Sequence, residues 1–225
     1  AKALGKTADY EDLMRRAKNY RYLYNPKTKL FQARNADGSW AGEHSGFTEG
    51  ANWTYQFCVM QDVQGLIDLM GGDESFAAAL DNVFDNGHYR HDNEPGHHYV
   101  YLYNYCGRFD KAQERIPEIL DTHYRNGADG LSGNDDCGQM SAWYLFSSLG
   151  FYPVTPASGE YALGIPRFPS ARVELPQGKV LTVRAEGLKE HKHLPVILFN
   201  GKKLDAPFID IRDLMKGGVL EFKAE

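Results

Sequence analysis

The sequence has little cysteine, no long apolar run and no strong excess of charge. Its three cysteines, Cys58, Cys106 and Cys137, are widely spaced and form no CxxC pair. Neither a disulfide framework nor a zinc signature is therefore expected, and core thiols are the ordinary reading. No segment approaches the roughly 20 consecutive apolar residues of a membrane span, so none is expected. The first residues, AKALGKTADYEDL, lack the apolar stretch of a signal peptide. A net charge of -5 gives no broad attraction to nucleic acid, which is not expected as a partner. Disorder is excluded as well, because 42% of the 225 residues are hydrophobic, enough to bury a sizeable core.

What the sequence does hold is aromatic residues, 13% of the chain, and eight histidines. Aromatic rings suit the C–H faces of sugars, although most of them must serve the core. The pattern changes character near Tyr152. Before it, apolar residues recur at helical spacing: Leu66, Ile67, Leu69 and Met70; Phe76, Ala79, Leu80 and Phe84; Ile116, Ile119 and Leu120; Trp143, Leu145, Phe146 and Leu149. Asp62 and Asp73 stand where N-caps belong, Gly71 and Gly150 where C-terminal glycines belong, and Pro153 follows the last helix. Six or seven short helices are expected.

After Tyr152 the chain reads as strands: ARVELP, KVLTVRAEG, LPVILFNGKKL and GGVLEFKAE, with Asn200-Gly201 as a hairpin turn. A small antiparallel sheet is expected. Helices followed by strands give an α+β fold with segregated parts, residues 1–152 and 153–225, rather than alternating βαβ units.

Three segments concentrate chemistry on loops. In GFTEGANW, residues 46–53, Glu49 sits beside Phe47 and Trp53, surroundings that would raise a carboxyl pKa and suit a general acid. A Glu favoured by a helix N-terminus is the plainer account. In HDNEPGHH, residues 91–98, Asn93 and Glu94 offer hard oxygen ligands, whereas His91, His97 and His98 suit a transition metal or simple hydrogen bonding. In GNDDCGQ, residues 133–139, Asp135 and Asp136 precede a helix whose free N–H groups would hold them ionised, as a base that activates water requires. Helix capping is the competing account for one of the two. One neutral and one charged carboxyl is the pairing that glycoside hydrolysis uses.

Taken in order, ALGKTADYEDLMRRAKNYRYLYNPKTKLF, TEGANWTYQF, DVQGLIDLMGG, NEPGHHYVYLYNYCG, DGLSGNDDCGQMSAWYLFSSLGFYPV, NGKKL and GGVLEF resemble glycoside hydrolase family 92 over nearly the whole chain. That resemblance implies an inverting exo-α-mannosidase that removes terminal mannose, commonly α-1,2-linked, from N-glycan or mannan with the help of Ca²⁺. It implies that Glu49 is the general acid, Asp136 the general base, and Asn93 with Glu94 the calcium and substrate segment. Trp53, His97, His98, Asn134 and Asp135 become substrate-side neighbours. Members with this resemblance have a β-sandwich followed by an (α/α)6 barrel, so residues 1–152 are expected to be the later part of that barrel, with the N-terminal sandwich as a missing partner. A periplasmic or secreted location is expected on the same ground. Two departures stand out: GNDD puts Asn134 where many members have Asp, and Gln61 stands where His is common. Two other classes remain open, a non-catalytic mannose-binding module and a metal-independent (α/α)6 glycosidase or phosphorylase.

Overall fold

The computed structural model describes residues 1–42 and 44–224 and divides into two compact units, Ala1–Tyr89 and Arg90–Glu225. In the first unit, α1 (Thr7–Arg16) leads to a two-stranded hairpin of β1 (Tyr24–Asn25) and β2 (Leu30–Phe31), then α2 (Asn52–Tyr55), α3 (Val63–Met70) and α4 (Asp73–Asp85). The apolar stripes of α3 and α4 bury Leu66, Ile67, Phe76, Leu80 and Val83, and Phe57 meets Phe76 edge-on at 5.2 Å. Gly71 closes α3 in the left-handed region at φ 99, as its position requires.

Two caps differ from expectation. Gly72, not Asp73, occupies the N-cap of α4, and Asp73 is the first helical residue, where its charge still favours the helix dipole. Asp62 holds the N-cap position of α3 but makes no cap bond; its carboxylate accepts from Tyr20 Oη at 2.7 Å instead.

The second unit starts with loops and a buried 3-10 segment, Tyr99–Cys106, followed by α5 (Phe109–His123) and α6 (Gln139–Leu149). An eight-residue 3-10 run is long for this conformation. Tyr99, Tyr101, Leu102 and Tyr103 are all at most 1% exposed, so tertiary burial outweighs the poorer hydrogen-bond geometry. With α2 and α6 included, the described residues before Tyr152 form six α-helices.

The strands follow as β3 (Phe151–Tyr152), β4 (Glu160–Leu163), β5 (Ser170–Glu174), β6 (Val180–Ala185), β7 (Val196–Phe199), β8 (Lys202–Lys203), β9 (Phe208–Asp210), the short helix α7 (Ile211–Leu214) and β10 (Gly218–Lys223). They make a three-stranded antiparallel sheet, β3-β4-β9, and a five-stranded sheet, β5-β6-β10-β7-β8. Asn200 and Gly201, at φ 50 and 78, make the expected β7–β8 turn. The expectation of a purely antiparallel sheet fails at one ladder, because β6 and β10 are parallel, pairing Gly218 with Leu181 through to Phe222 with Ala185. Parallel neighbours need a long crossover, and here residues 186–217 supply it. Gln113 of α5 ties helix to sheet: its amide donates to the Gly164 and Leu194 carbonyls and accepts from Leu194 N, leaving the buried side chain fully bonded.

Candidate active site

In the second unit, two loops carry the acidic motifs, residues 90–98 before the 3-10 segment and residues 125–138 before α6. They meet backbone to backbone. A Cβ built on Gly133 would lie 2.2 Å from the Asp92 carbonyl oxygen, so only glycine allows this approach. Beside the contact, Arg90 grips the Asp92 carboxylate, with Nε 2.8 Å from Oδ1, and that bonding holds the carboxyl below its usual range.

Under the loops lies a largely buried polar network, in which Tyr124 is half-buried. His91, 0% exposed, sets Nε2 2.7 Å from Tyr124 Oη, and Tyr124 Oη donates to the Met140 carbonyl at 3.0 Å. The hydroxyl has one proton, so His91 Nε2 must be the donor in the first bond. Trp143 Nε1 donates to the His97 carbonyl at 2.8 Å, and His97 Nε2 donates to the His91 carbonyl at 3.0 Å. The Trp143 ring stacks parallel to Tyr124 at 5.8 Å and receives His91 edge-on at 4.4 Å. Burial pushes His91 down to about 2, with His97 and His123 adding to the shift, and burial lowers His97 as well. Both rings are neutral at ordinary pH.

The residues 133–138 wrap the start of α6. Asp136, Cys137 and Gly138 occupy the left-handed region in succession, at φ 45, 61 and 93. The bend lets the Asp135 and Asp136 carbonyls accept from Met140 N and Gln139 N, both at 3.3 Å, while the Asp135 carboxylate accepts from Ser141 N at 2.9 Å. Capping is thus the structural role of Asp135. Asp136 is exposed, and among the described residues its carboxylate has no bonding partner. Asn134 is exposed on the same loop.

On the other loop, Asn93 Oδ1 accepts from Glu94 N at 3.1 Å, capping the 3-10 turn Glu94–Gly96. Glu94 is half-buried. Among the described residues, no three His, Cys, Asp or Glu side chains gather as a metal site. Calcium takes six to eight oxygens, so Asn93 and Glu94 are a partial set for it. His97 departs from the expected sugar-facing position: it is 2% exposed, Nε2 is bonded to the His91 carbonyl, and Nδ1 lies 3.4 Å from Gln139 Nε2. His98 is also buried and meets Tyr99 edge-on.

In the first unit, Glu49 precedes α2 at φ 59, a left-handed backbone that a side chain beyond Cβ adopts at a cost of about 1–2 kcal/mol. The apolar cover expected for Glu49 is not built by its neighbours. Glu49 is exposed, Phe47 stacks on Tyr55 at 5.6 Å, and Trp53 stacks on His88 at 4.4 Å and 5°. Trp53 lines a cavity of about 330 Å³ with Tyr24, Gln56, Met70 and Asn82.

With that geometry in view, residues 1–225 match the family model of the glycosyl hydrolase family 92 catalytic domain. The chain belongs to glycosyl hydrolase family 92. Its backbone is similar to that of a family 92 α-mannosidase from Bacteroides thetaiotaomicron, with TM-score 0.91 and 40% identity over 99% of this chain and 32% of that one. A family 92 inverting mannosidase of the same organism gives TM-score 0.90 and 33% identity over 99% and 34%. A curated relative from Arthroderma benhamiae, described as an uncharacterized secreted glycosidase, is 30% identical over 177 residues, 77% of this chain and 23% of the relative. The chain therefore spans about a third of the solved family 92 structures and less than a quarter of that relative.

The family 92 motifs flag the acidic residues but not their supports. Tyr124, Gln139 and Tyr152 carry no site role in the sequence, Trp143 shows there only as part of an apolar helical stripe, and of the two roles open to His91, metal ligand or hydrogen bonding, the structure shows the bond to Tyr124. Gln139 offered the nearest signal, as a polar residue opening an otherwise apolar helix directly after GNDDCG.

Proposed function

We propose that this chain is the C-terminal portion of the catalytic region of an inverting exo-α-mannosidase that releases terminal, α-1,2-linked mannose from glycans such as N-glycans. The likeness to family 92 α-mannosidases over essentially the whole chain carries the reading. Within the chain, the division of labour between the two aspartates supports it: Asp135 is committed to the helix, and Asp136 is left exposed with a carboxylate unbonded among the described residues.

Inversion needs an acid that protonates the departing glycosidic oxygen and a base that takes a proton from the attacking water. Asp136 is the proposed base and Glu49 the proposed acid. An acid must keep its proton at working pH, and the exposed Glu49 finds no apolar cover from Phe47 or Trp53. The cover is therefore assigned to the bound sugar and to sequence outside this chain. The same outside sequence includes the proposed N-terminal β-sandwich and the earlier part of an (α/α)6 barrel to which residues 1–152 belong, with residues 153–225 as a strand subdomain. Trp53 and Asn134 are proposed as sugar contacts, and Asp135, His97 and His98 as supports for the loops that make them.

Ca²⁺ is proposed as cofactor on Asn93 and Glu94, with water, sugar hydroxyls and residues outside the chain completing its oxygens. When bound, such a hard cation supplies attraction to adjacent sugar hydroxyls. A periplasmic or secreted site of action is proposed, in keeping with the secreted Arthroderma relative. Among the described residues, no helix is long and apolar enough to cross a membrane.

The test is hydrolysis of an aryl α-mannoside by the full-length protein, with the product anomer followed by NMR, in calcium and in EDTA. Inversion is expected, and Glu49→Gln and Asp136→Asn should each lower kcat by roughly 10²–10⁴-fold. Retention of configuration, or full activity in both variants, refutes the mechanism. Mannose binding without hydrolysis would make the protein a binding module instead.

A further inference from the structure

We propose that Tyr152 is a substrate-binding residue that donates its hydroxyl proton to a sugar hydroxyl, with Gln139 and His97 as the positioning residues that leave this proton unspent. The inference deepens the reading of the site as a sugar pocket and rests on it.

The argument starts at a backbone carbonyl. The His91 oxygen can only accept, so the 3.0 Å contact with His97 requires the proton on His97 Nε2. A neutral imidazole has a single N–H, which makes Nδ1 an acceptor. Gln139 must therefore turn its amide nitrogen, not its oxygen, toward His97 Nδ1 at 3.4 Å. That nitrogen has a second proton, which it donates to Tyr152 Oη at 3.1 Å. The Tyr152 oxygen is now accepting, and among the described residues nothing takes its own proton.

Every link is held in place. Tyr152 is 7% exposed and stacks on Tyr101 at 5.1 Å and 14°. Tyr101 is in turn fixed by its bond to Ser147 Oγ at 2.7 Å. Burial, with the nearby charge of Glu94, pushes the Tyr152 hydroxyl up to about 12, so the proton is retained at any working pH. The group that takes this proton has to be an acceptor, and the oxygen of a sugar hydroxyl is one.

The experiment compares Tyr152→Phe with wild type in the full-length protein, reading kcat and KM separately, together with binding of monodeoxy mannosides. Loss of one neutral hydrogen bond should raise KM roughly three- to tenfold and leave kcat within about twofold. One monodeoxy sugar should bind wild type and Tyr152→Phe equally, because its missing hydroxyl is the partner. Gln139→Glu should reproduce the KM effect, since a carboxylate draws the Tyr152 proton inward. An unchanged KM in Tyr152→Phe, or an equal further loss for every monodeoxy sugar, overturns the proposal. A wild type that cleaves a different glycoside overturns the mannosidase reading alone, and the same comparison on that glycoside and its deoxy analogues still decides the role of Tyr152.

Discussion

The approach of the two loops at Gly133 gives a prediction that touches no charged group. In Gly133→Ala the new methyl would stand 2.2 Å from the Asp92 carbonyl oxygen and 2.8 Å from its carbon. Carbon–oxygen contacts settle near 3.3 Å at the closest, so the loops must part by about 1 Å. Backbone lies on both sides, so no side-chain rotation can absorb the shift. Overpacking of this kind costs about 1–3 kcal/mol. For a domain of this size that is a fall in Tm of roughly 2–12 °C. The same displacement between the loop of Glu94 and the loop of Asp136 should lower kcat/KM about 10²-fold, as misplacements near 1 Å do. Gly127→Ala is the control, because its methyl would meet only the Asp129 carboxylate, at 3.2 Å on the same loop. Differential scanning fluorimetry and initial rates on the full-length protein read both effects. If Gly133→Ala matches Gly127→Ala in Tm and in kcat/KM, the loop contact does not set the site.

Two further outcomes follow from the network and the bend. His91 and His97 have folded pKa values depressed by burial below the ordinary value near 6.5, so the unfolded chain binds more protons in acid. Stability should be full above about pH 7 and fall by about 1.4 kcal/mol per pH unit on account of His91 as pH drops below 6.5, with His97 adding a loss of the same sign, readable in urea midpoints at pH 7.5, 6.5 and 5.5; a flat profile would refute neutral burial of the pair. Asp136→Gly should relieve the left-handed backbone at φ 45 and raise stability by up to about 1 kcal/mol while hydrolysis disappears. A lower Tm in that variant would show that the Asp136 side chain holds the bend rather than straining it.

Local signals in the sequence were legible, and long-range ones were not. Helices α3 to α6 announce themselves because each buries one stripe at helical period, and Gly71 and Gly150 end two of them in the left-handed region that favours glycine. The segment Tyr99–Cys106 carries no such period, since it is buried on nearly all sides. The parallel β6–β10 ladder joins residues 37 apart at Gly218 and Leu181, and no local turn marks it. In the site, the capping role open to one of the two aspartates was readable from their place before α6, and the structure gives it to Asp135. Phe47 and Trp53 are neighbours of Glu49 in sequence but do not cover it in space, and Glu49 is exposed. On the curled 46–53 segment, Phe47 and Trp53 turn to Tyr55 and His88.

The arrangement of charge in the second unit explains why the exposed acids sit on so elaborate a base. Asp136 and Asn134 are exposed and Glu94 is half-buried, so they can meet a ligand, but a loop that free is poorly placed for chemistry. Their order is imposed from below by Trp143, Tyr124, His91, His97 and Gln139, three of whose bonds run to backbone: Trp143 to the His97 carbonyl, His97 to the His91 carbonyl, Tyr124 to the Met140 carbonyl. Those bonds fix the backbone itself, and the contacts of His91 with Tyr124 and of Gln139 with His97 and Tyr152 join the supports to one another. Because burial keeps both histidines neutral, the base adds no cation to neutralise Glu94 or Asp136 from beneath. A lysine or arginine in the same place would hold the loops as well, yet it would pair with the acids and take from them the charge that the proposed base and the proposed metal ligand need.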